Sequence, residues 1–235
     1  MNKYSPHDLT RAIAAICPDI RSYTTNELQP DEQILWWELS SCILSSQVSY
    51  PIATAYADAI ERNQILFCYG QFGREILTQQ LLRVLSTSID VDGRYYRYRF
   101  PNSRACQLAD AYHVITSGKC SLQELVGRFH DAVEARAWFV KHIPGFGPKQ
   151  ASMFLRNIGV SYDLAILDRH VLNYMTKLGI YSDTKLSISN LSHYRNYEAV
   201  LRKHAEELRC PVGILDWAIW IVMRVANQSM EPLVV

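Results

Sequence analysis

Apolar residues recur every three or four positions along most of this chain, the spacing that places side chains on one face of a helix. The first run contains Leu9, Ala12, Ile13 and Ile16; it follows a helix start at Ser5 and Pro6 and precedes Pro18. Further predicted helices lie at 31–48, 51–60, 72–85, 121 onward, 134–142, 148–158, 170–177, 194–208 and 212–226, with one more from Asn102 or Ser103 to Thr116. Because no alternation of apolar and polar residues persists long enough for a sheet, the pattern predicts an all-α fold.

The segment from Lys141 to Val171 is the most informative part of the pattern. Gly145 and Gly147 can take positive φ in a tight turn and bring backbone amides close to a partner, and Pro148 suits the first position of the next helix. One face of that helix is apolar: Ala151, Phe154, Leu155 and Ile158. Lys149, Ser152 and Arg156 fall on the opposite face, so a helix–hairpin–helix unit is predicted with Lys149 at the mouth of the turn.

Residues 94–100 alternate arginines with aromatic residues. This pattern suits a surface that follows a nucleic-acid backbone, since arginine meets phosphate and aromatic rings stack on bases. It is also typical of a short, half-buried extended segment, and packing is the expected role of Tyr96 and Phe100. The preceding residues 86–93 are predicted to form a loop, with Asp92 and Gly93 as its turn.

Composition narrows the function classes. The chain has 235 residues, of which 49% are hydrophobic, enough for one core or for two lobes that share a cleft. A net charge of +1 argues against broad electrostatic coating of nucleic acid, but not against a local site of amides and a few arginines. No stretch suits a membrane span and the N-terminus lacks the apolar region of a signal peptide, so a soluble, cytoplasmic protein is expected.

Six cysteines are spread along the chain: Cys17, Cys42, Cys68, Cys106, Cys120 and Cys210. Because no two of them are close in sequence, a zinc ribbon is disfavoured and reduced core thiols are expected.

The central segment also carries residues in a specific order: Pro144-Gly145-Phe146-Gly147, Lys149, Ala151-Ser152, Phe154-Leu155-Arg156-Asn157 and Ala165-Ile166-Leu167-Asp168-Arg169-His170. In this order they resemble the helix-hairpin-helix–GPD superfamily of base-excision DNA glycosylases, and within it the type-2 8-oxoguanine DNA glycosylases of archaea and bacteria. Residues 98–105 are similar to the family's mid-chain segment, and Leu215, Asp216, Ile219 and Trp220 to its C-terminal helix. The resemblance runs from about Leu44 to Trp220.

The resemblance implies two helical lobes with an active-site cleft between them. Lobe one would comprise approximately 1–40 plus 160–235, and lobe two approximately 41–159, with the hairpin at 143–149. Lys149 would attack C1′ of the damaged nucleotide as a neutral amine and form a Schiff base that permits β-elimination. Asp168 would stabilise the cationic sugar and help to deprotonate the amine, while the helix N-terminus supplies positive potential. Taken singly, the two residues also fit a solvated lysine at a helix start and an N-cap aspartate.

Other positions receive roles by the same resemblance. The amides of Gly145 and Gly147 would form an anion site for a DNA phosphate. Gln47 would fill or contact the gap left by the extruded base, with Ser46 behind it, although residues 44–47 also suit a polar helix C-terminus. Trp220 would receive the base on its ring face, or be a core tryptophan. His170 would contact DNA or merely cap, and Arg99 is assigned to DNA contact.

The predicted partner is double-stranded DNA with a damaged or modified base, without a membrane, and the chain is expected to act as a monomer. A monovalent cation on the hairpin carbonyls is carried over from the family. No iron–sulfur cluster is expected, since no cysteine run follows Cys210, and no other metal or cofactor is predicted.

One departure bears on the substrate. The archaeal relatives use a terminal lysine to recognise 8-oxoguanine, whereas residues 230–235 contain none. Three hypotheses follow: an 8-oxoguanine glycosylase with AP-lyase activity, a glycosylase for another damaged or modified base, such as one in phage DNA, and a non-enzymatic DNA-binding module. The first is favoured.

Overall fold

The computed structural model describes residues 4–24, 30–67, 73–118, 120–183 and 188–228. These residues form eleven helices and one pair of short strands, in agreement with the predicted all-α fold. The elements are α1 (Pro6–Tyr23), α2 (Glu32–Leu44), α3 (Tyr50–Arg62), α4 (Arg74–Ser86), β1 (Ile89–Val91), β2 (Arg94–Tyr96), α5 (Pro101–Thr116), α6 (Leu122–Gly127), α7 (Ala132–His142), α8 (Pro148–Asn157), α9 (Arg169–Lys177), α10 (Leu191–Glu207) and α11 (Val212–Gln228). None of the described helices is long and apolar enough to cross a membrane.

Several helix boundaries differ from the sequence pattern, four of them in ways that matter for the fold. Helix α1 continues through Pro18 to Tyr23, because Ile20, beyond the proline, is buried in the core and holds the last turn. Helix α2 ends at Leu44 rather than near Val48. Helix α5 begins at Pro101 after Phe100, which supplies no side-chain cap, so the expected cap at Asn102 or Ser103 was wrong. The predicted start of the next helix at residue 72 lies outside the described residues, and the described helix begins at Arg74.

Strands β1 and β2 form an antiparallel hairpin that periodicity missed. Ile89 pairs with Tyr96, Asp90 with Tyr95 and Val91 with Arg94. Asp92 and Gly93 form the predicted turn, both at positive φ, and the Gly93 amide donates to Asp90 Oδ1 over 3.1 Å. Three-residue strands are too short for an alternation to be recognised.

The chain divides into two compact units, Met1–Leu28 with Gly159–Val235 and Gln29–Ile158. In the first unit, α11 packs against α1, α9 and α10, which explains why this helix is apolar on most sides. Its core includes Ile13, Leu172, Leu215 and Ile219, all fully buried.

In the second unit, α2 is the central helix and packs against α3, α5, α6 and α8. Trp36, Leu39 and Ile43 are fully buried in it. Helix α7 packs against α8, and α4 against α5. This unit carries the predicted hairpin and Lys149.

Candidate active site

The hairpin between α7 and α8 has the geometry expected from its glycines. Gly145 has a φ of +77°, which L side chains rarely adopt, and a Cβ there would lie under 3.0 Å from the side chain of Gln107 on α5. The Phe146 amide donates to the carbonyl of Ile143 over 3.2 Å, which closes the turn. Gly147 is the N-cap of α8 and has no side chain with which to cap the helix. The first amides of α8 are therefore available to an external anion.

A cluster of three phenylalanine rings, one of them from the turn itself, holds this turn in place. Phe146 is buried, and its ring centroid lies 5.9 Å from that of Phe139 on α7 and 6.0 Å from that of Phe154 on α8. The Phe139 and Phe154 rings meet edge to face at 5.1 Å. Since the middle of the hairpin is part of the core, its backbone amides have a fixed orientation.

Lys149 is the second residue of α8 and is partly buried. The predicted apolar face of α8 is confirmed, since Ala151, Phe154, Leu155 and Ile158 are all buried. Ser152, predicted on the opposite face with Lys149 and Arg156, is fully buried. The equally buried Arg136 of α7 donates to its hydroxyl over 3.2 Å.

A half-buried acid of α2 lies against α8, and the sequence pattern did not single it out. Asn157 Nδ2 donates to Glu38 Oε2 over 3.1 Å. Burial raises the pKa of Glu38, against smaller opposing effects of this hydrogen bond and of the Arg156 charge. One turn along α2, burial and the Glu38 charge raise the pKa of the Cys42 thiol, while the charges of Lys149 and Arg156 act in the opposite direction. Lys149 thus sits in a partly desolvated, polar part of the second unit.

Asp168, in the first unit, is the N-cap of α9. Its Oδ1 accepts the amide of His170 over 2.8 Å and that of Val171 over 2.9 Å. Its Oδ2 has no hydrogen-bond partner among the described residues. The capping role expected for an aspartate here is confirmed, and it leaves one carboxylate oxygen for another task.

Three buried side chains hold the segment that leads to Asp168. Ala165 N donates to Glu198 over 2.8 Å, Ile166 N to Asp216 over 2.6 Å and Leu167 N to the Tyr194 hydroxyl over 2.8 Å. Residues 164–167 are buried, and no strand lies beside them in the described parts of the chain, so these side chains of α10 and α11 satisfy amides that would otherwise be unpaired. They fix the backbone on which Asp168 stands.

The turn after α2 contains Ser46 and Gln47, and side chains of the second unit bind its backbone carbonyls. Gln47 is exposed and has a φ of +62°, which costs about 1–2 kcal/mol for a residue with a Cβ. The Tyr98 hydroxyl donates to the carbonyl of Leu44 over 2.6 Å, and Arg104 Nη2 donates to that of Ser46 over 3.3 Å. Arg104 is only 8% exposed and also donates to Gln107, the residue that lies against Gly145. Arg104 and Gln107 thus link the Ser46 turn to the hairpin, a connection that spacing in the sequence could not reveal.

The remaining predicted site residues are distributed over both units. In the second unit, the Arg99 guanidinium lies 4.9 Å from the centre of the Phe100 ring. In the first unit, Trp220 is partly buried rather than a fully buried core residue, and the Arg224 guanidinium lies 4.4 Å from its ring centre. His170 is half-buried at the second position of α9. The second unit therefore holds Lys149, Gly145, Gly147, Ser46, Gln47 and Arg99, and the first holds Asp168, His170 and Trp220.

Two points concern metals and thiols. Among the described residues, no group of three or more His, Cys, Asp or Glu side chains is placed to hold a metal ion. The five cysteines in the described ranges are free thiols. The C-terminal residues 229–235, which include the segment without a lysine, lie outside those ranges.

The chain is similar to known proteins of one family. The sequence model of the family described as 8-oxoguanine DNA glycosylase matches residues 17–210. The chain belongs to the 8-oxoguanine DNA glycosylase family. Members of this family similar to it include the 8-oxoguanine DNA glycosylase/AP lyase of Sulfolobus acidocaldarius, 33% identical over 190 residues that cover 81% of this chain and 82% of the relative. The protein of the same name from Saccharolobus solfataricus is 28% identical over 208 residues, 88% of this chain and 90% of the relative.

A solved structure of the family has the same fold. The crystal structure of the 8-oxoguanine DNA glycosylase of Thermotoga maritima superposes with a TM-score of 0.69 at 27% identity, covering 92% of this chain and 94% of the other. The family expected from the hairpin, the lysine and the aspartate is therefore confirmed.

Proposed function

We propose that Lys149 is the nucleophile and Asp168 its electrostatic partner in the excision of 8-oxoguanine from duplex DNA. As a member of its family the chain is a DNA glycosylase with AP-lyase activity. The residue assignment rests on two features of this family-matched chain. One is a lysine in the first turn after the hairpin, and the other is a half-buried aspartate, one oxygen of which has no hydrogen-bond partner among the described residues.

In this mechanism the neutral amine of Lys149 attacks C1′ of the flipped nucleotide. The C1′–N bond breaks, and the base leaves with the bonding electron pair and takes up a proton. The sugar ring then opens to an iminium linked to Lys149. Loss of the C2′ proton expels the 3′ phosphate, and hydrolysis of the imine restores the amine.

The surroundings of Lys149 support this role. Lys149 is partly buried at the second position of α8, directly after the hairpin glycines, so its side chain starts from the turn proposed to hold the DNA.

Asp168 would act on the positive charge that develops at the sugar. Its Oδ1 is fixed by two backbone amides, so the orientation of the carboxylate is set before substrate binds. Preorganised charge of this kind needs little rearrangement during the reaction.

The hairpin and the Ser46 turn would position the DNA. The unpaired first amides of α8, beside Gly145 and Gly147, fit a phosphate, and the exposed Gln47 fits the gap left by the extruded base. Trp220 would receive the base on the ring face that Arg224 leaves open, His170 would contact DNA from α9, and Arg99 would meet phosphate. The monovalent cation on the hairpin carbonyls stays a prediction; the Ile143 carbonyl accepts the Phe146 amide and keeps one lone pair for such an ion.

Borohydride trapping tests the nucleophile. Reduction of the imine during turnover of a duplex with 8-oxoguanine should link the chain covalently to DNA. Lys149→Gln should abolish this adduct, whereas Lys141→Gln, an exposed lysine in the last turn of α7, should retain it. An adduct formed by Lys149→Gln at the wild-type level would refute the assignment.

A further inference from the structure

The β1–β2 hairpin has no role in the proposed mechanism. It projects from the second unit between α4 and α5. Tyr95 is 79% exposed on it, and Arg94, Arg97 and Arg99 are exposed on β2 and the residues that follow. A large aromatic side chain that is exposed among arginines is typical of a surface that contacts another molecule.

The hairpin is firmly anchored, because a buried tyrosine ties both of its ends. The Tyr56 hydroxyl of α3 lies 2.8 Å from the Thr87 carbonyl, just before β1, and 3.0 Å from the Tyr96 carbonyl at the end of β2. It also accepts the amide of Tyr98 over 3.0 Å, and the Tyr56 and Tyr98 rings meet edge to face at 5.1 Å. Since Tyr56 is fully buried, the hairpin projects from a rigid base.

The charges are arranged along one side of the hairpin. From Arg94 to Arg104 the chain carries four arginines and no acid. The two acids of the hairpin, Asp90 and Asp92, lie on β1 and in the turn, and Asp90 accepts the Gly93 amide. The strand that leads into α5 is therefore basic, and the acidic side chains are at the other strand and the tip.

This basic strand is continuous with residues already placed at DNA. Two guanidinium groups lie over the Phe100 ring, that of Arg99 at 4.9 Å and that of Arg104 at 5.8 Å from the ring centre. Arg104 in turn donates to the carbonyl of Ser46, next to Gln47. The chain of contacts leads from the hairpin to the turn proposed to meet the lesion, all within the second unit.

We propose that the β1–β2 hairpin is a second DNA-binding element, which contacts the sugar–phosphate backbone of duplex DNA beside the lesion through Arg94, Tyr95 and Arg97. Guanidinium groups suit phosphate, because their planar N–H donors match two phosphate oxygens at once. Bases are paired in the flanking duplex, so Tyr95 would pack on a sugar and donate its hydroxyl to phosphate rather than stack on a base. Such contacts position the protein without reading sequence. The proposal extends the proposed function by naming a further part of its DNA-binding surface.

Salt-dependent binding to undamaged duplex DNA tests the hairpin separately from catalysis. Each lost phosphate contact should reduce the slope of log affinity against log salt by about 0.9. The double variant Arg94→Gln with Arg97→Gln should therefore lower the slope by about 1.8 and weaken binding by more than about tenfold at roughly 0.1 M salt. Tyr95→Ser should weaken binding with little change in slope.

The matched control is the double variant Arg128→Gln with Arg195→Gln, which removes the same charge from two exposed arginines outside the hairpin. It should keep the wild-type slope. Equal losses in both double variants would mean a general electrostatic effect, and an unchanged slope in the hairpin variant would mean no contact; either result overturns the proposal. The borohydride adduct of wild type and its loss in Lys149→Gln are measured without any change in the hairpin, so failure of the hairpin proposal and failure of the Lys149 assignment are distinguishable.

Discussion

At the scale of single residues, the two carboxylate oxygens of Asp168 have different surroundings. Oδ1 accepts the amides of His170 and Val171, whereas Oδ2 has no hydrogen-bond partner among the described residues. The sequence suggested an N-cap aspartate and a catalytic aspartate as alternatives. In this geometry both roles are compatible, because they use different oxygens.

Substitution separates the two roles. Asp168→Asn keeps a carbonyl oxygen for the cap and removes the charge, so we expect near-normal stability and an excision rate lower by about 10²–10³. Asp168→Ala also removes the cap and should lose about 1 kcal/mol of unfolding free energy. Single-turnover cleavage rates and urea unfolding measure the two effects. A wild-type rate in Asp168→Asn would exclude a role for the charge.

The raised pKa of Glu38 predicts how the stability of the fold depends on pH. Burial raises the pKa of this carboxyl above its ordinary value of 4.5, so the folded chain holds the proton to higher pH than the unfolded chain. Between the two pKa values the unfolded state binds fewer protons, and stability falls as pH rises through this window. Glu38→Gln should remove that fall and be more stable than wild type above it, because an amide is not ionised and its oxygen can still accept from Asn157.

Urea unfolding at a series of pH values checks this prediction. Glu134→Gln, at an exposed position in the first turn of α7, is the control and should follow the wild-type pH dependence. Parallel curves for wild type and Glu38→Gln would contradict the prediction.

Lys149 and Asp168 could be singled out from the sequence because each has a local signal, a glycine turn before a helix in one case and a cap position in the other. Ser152 and Glu38 could not be placed in the same way. Their environments depend on Arg136 and Asn157, which lie 16 and 119 positions away in the chain. Helical spacing identifies a face but not the side chain that meets it.

At the scale of elements, the α7–α8 hairpin depends on Gly145 for two reasons, its positive φ and the closeness of Gln107. The first was predictable from the glycine-rich turn. The second was not, because it requires knowing that α5 lies against the hairpin. The β1–β2 hairpin was missed for a different reason, since its strands have only three residues each and its anchor, Tyr56, is on α3.

Gly145→Ala should therefore destabilise the fold by about 1–2 kcal/mol through backbone strain, and weaken duplex binding because the amides of the turn shift. Urea unfolding and affinity for undamaged duplex measure these effects. Gly127→Ala is the control, as a Cβ there meets no atom within 4 Å. Equal stability of the two variants would show that the turn tolerates a side chain.

At the scale of the whole molecule, the order of a few motifs over most of the chain predicted the family, and helical periodicity predicted the all-α fold. The comparisons confirm both predictions. The two units each contribute some of the predicted site residues. These residues could be predicted from the sequence because the motifs that contain them occur in the order typical of the family. The side chains that hold them in place come from helices distant in sequence.

A panel of duplexes tests the activity of the whole chain. A duplex with 8-oxoguanine should be cut without added alkali, an undamaged guanine duplex should not, and an abasic duplex should be cut faster because no base has to leave. Strand cleavage on denaturing gels gives the readout. Cleavage of the 8-oxoguanine duplex only after alkali would mean that the base is removed without a Schiff base.

The three side chains that bind the amides of residues 165–167 place a constraint on parts of the chain remote from any substrate. In a sheet, a neighbouring strand tolerates many side chains because its backbone makes the bonds. Here each amide relies on one particular oxygen, from Glu198, Asp216 or Tyr194. Replacement of Glu198 would leave the Ala165 amide without its acceptor and displace the backbone that leads to Asp168, so a position on α10 is constrained by a segment 33 residues before it in the chain.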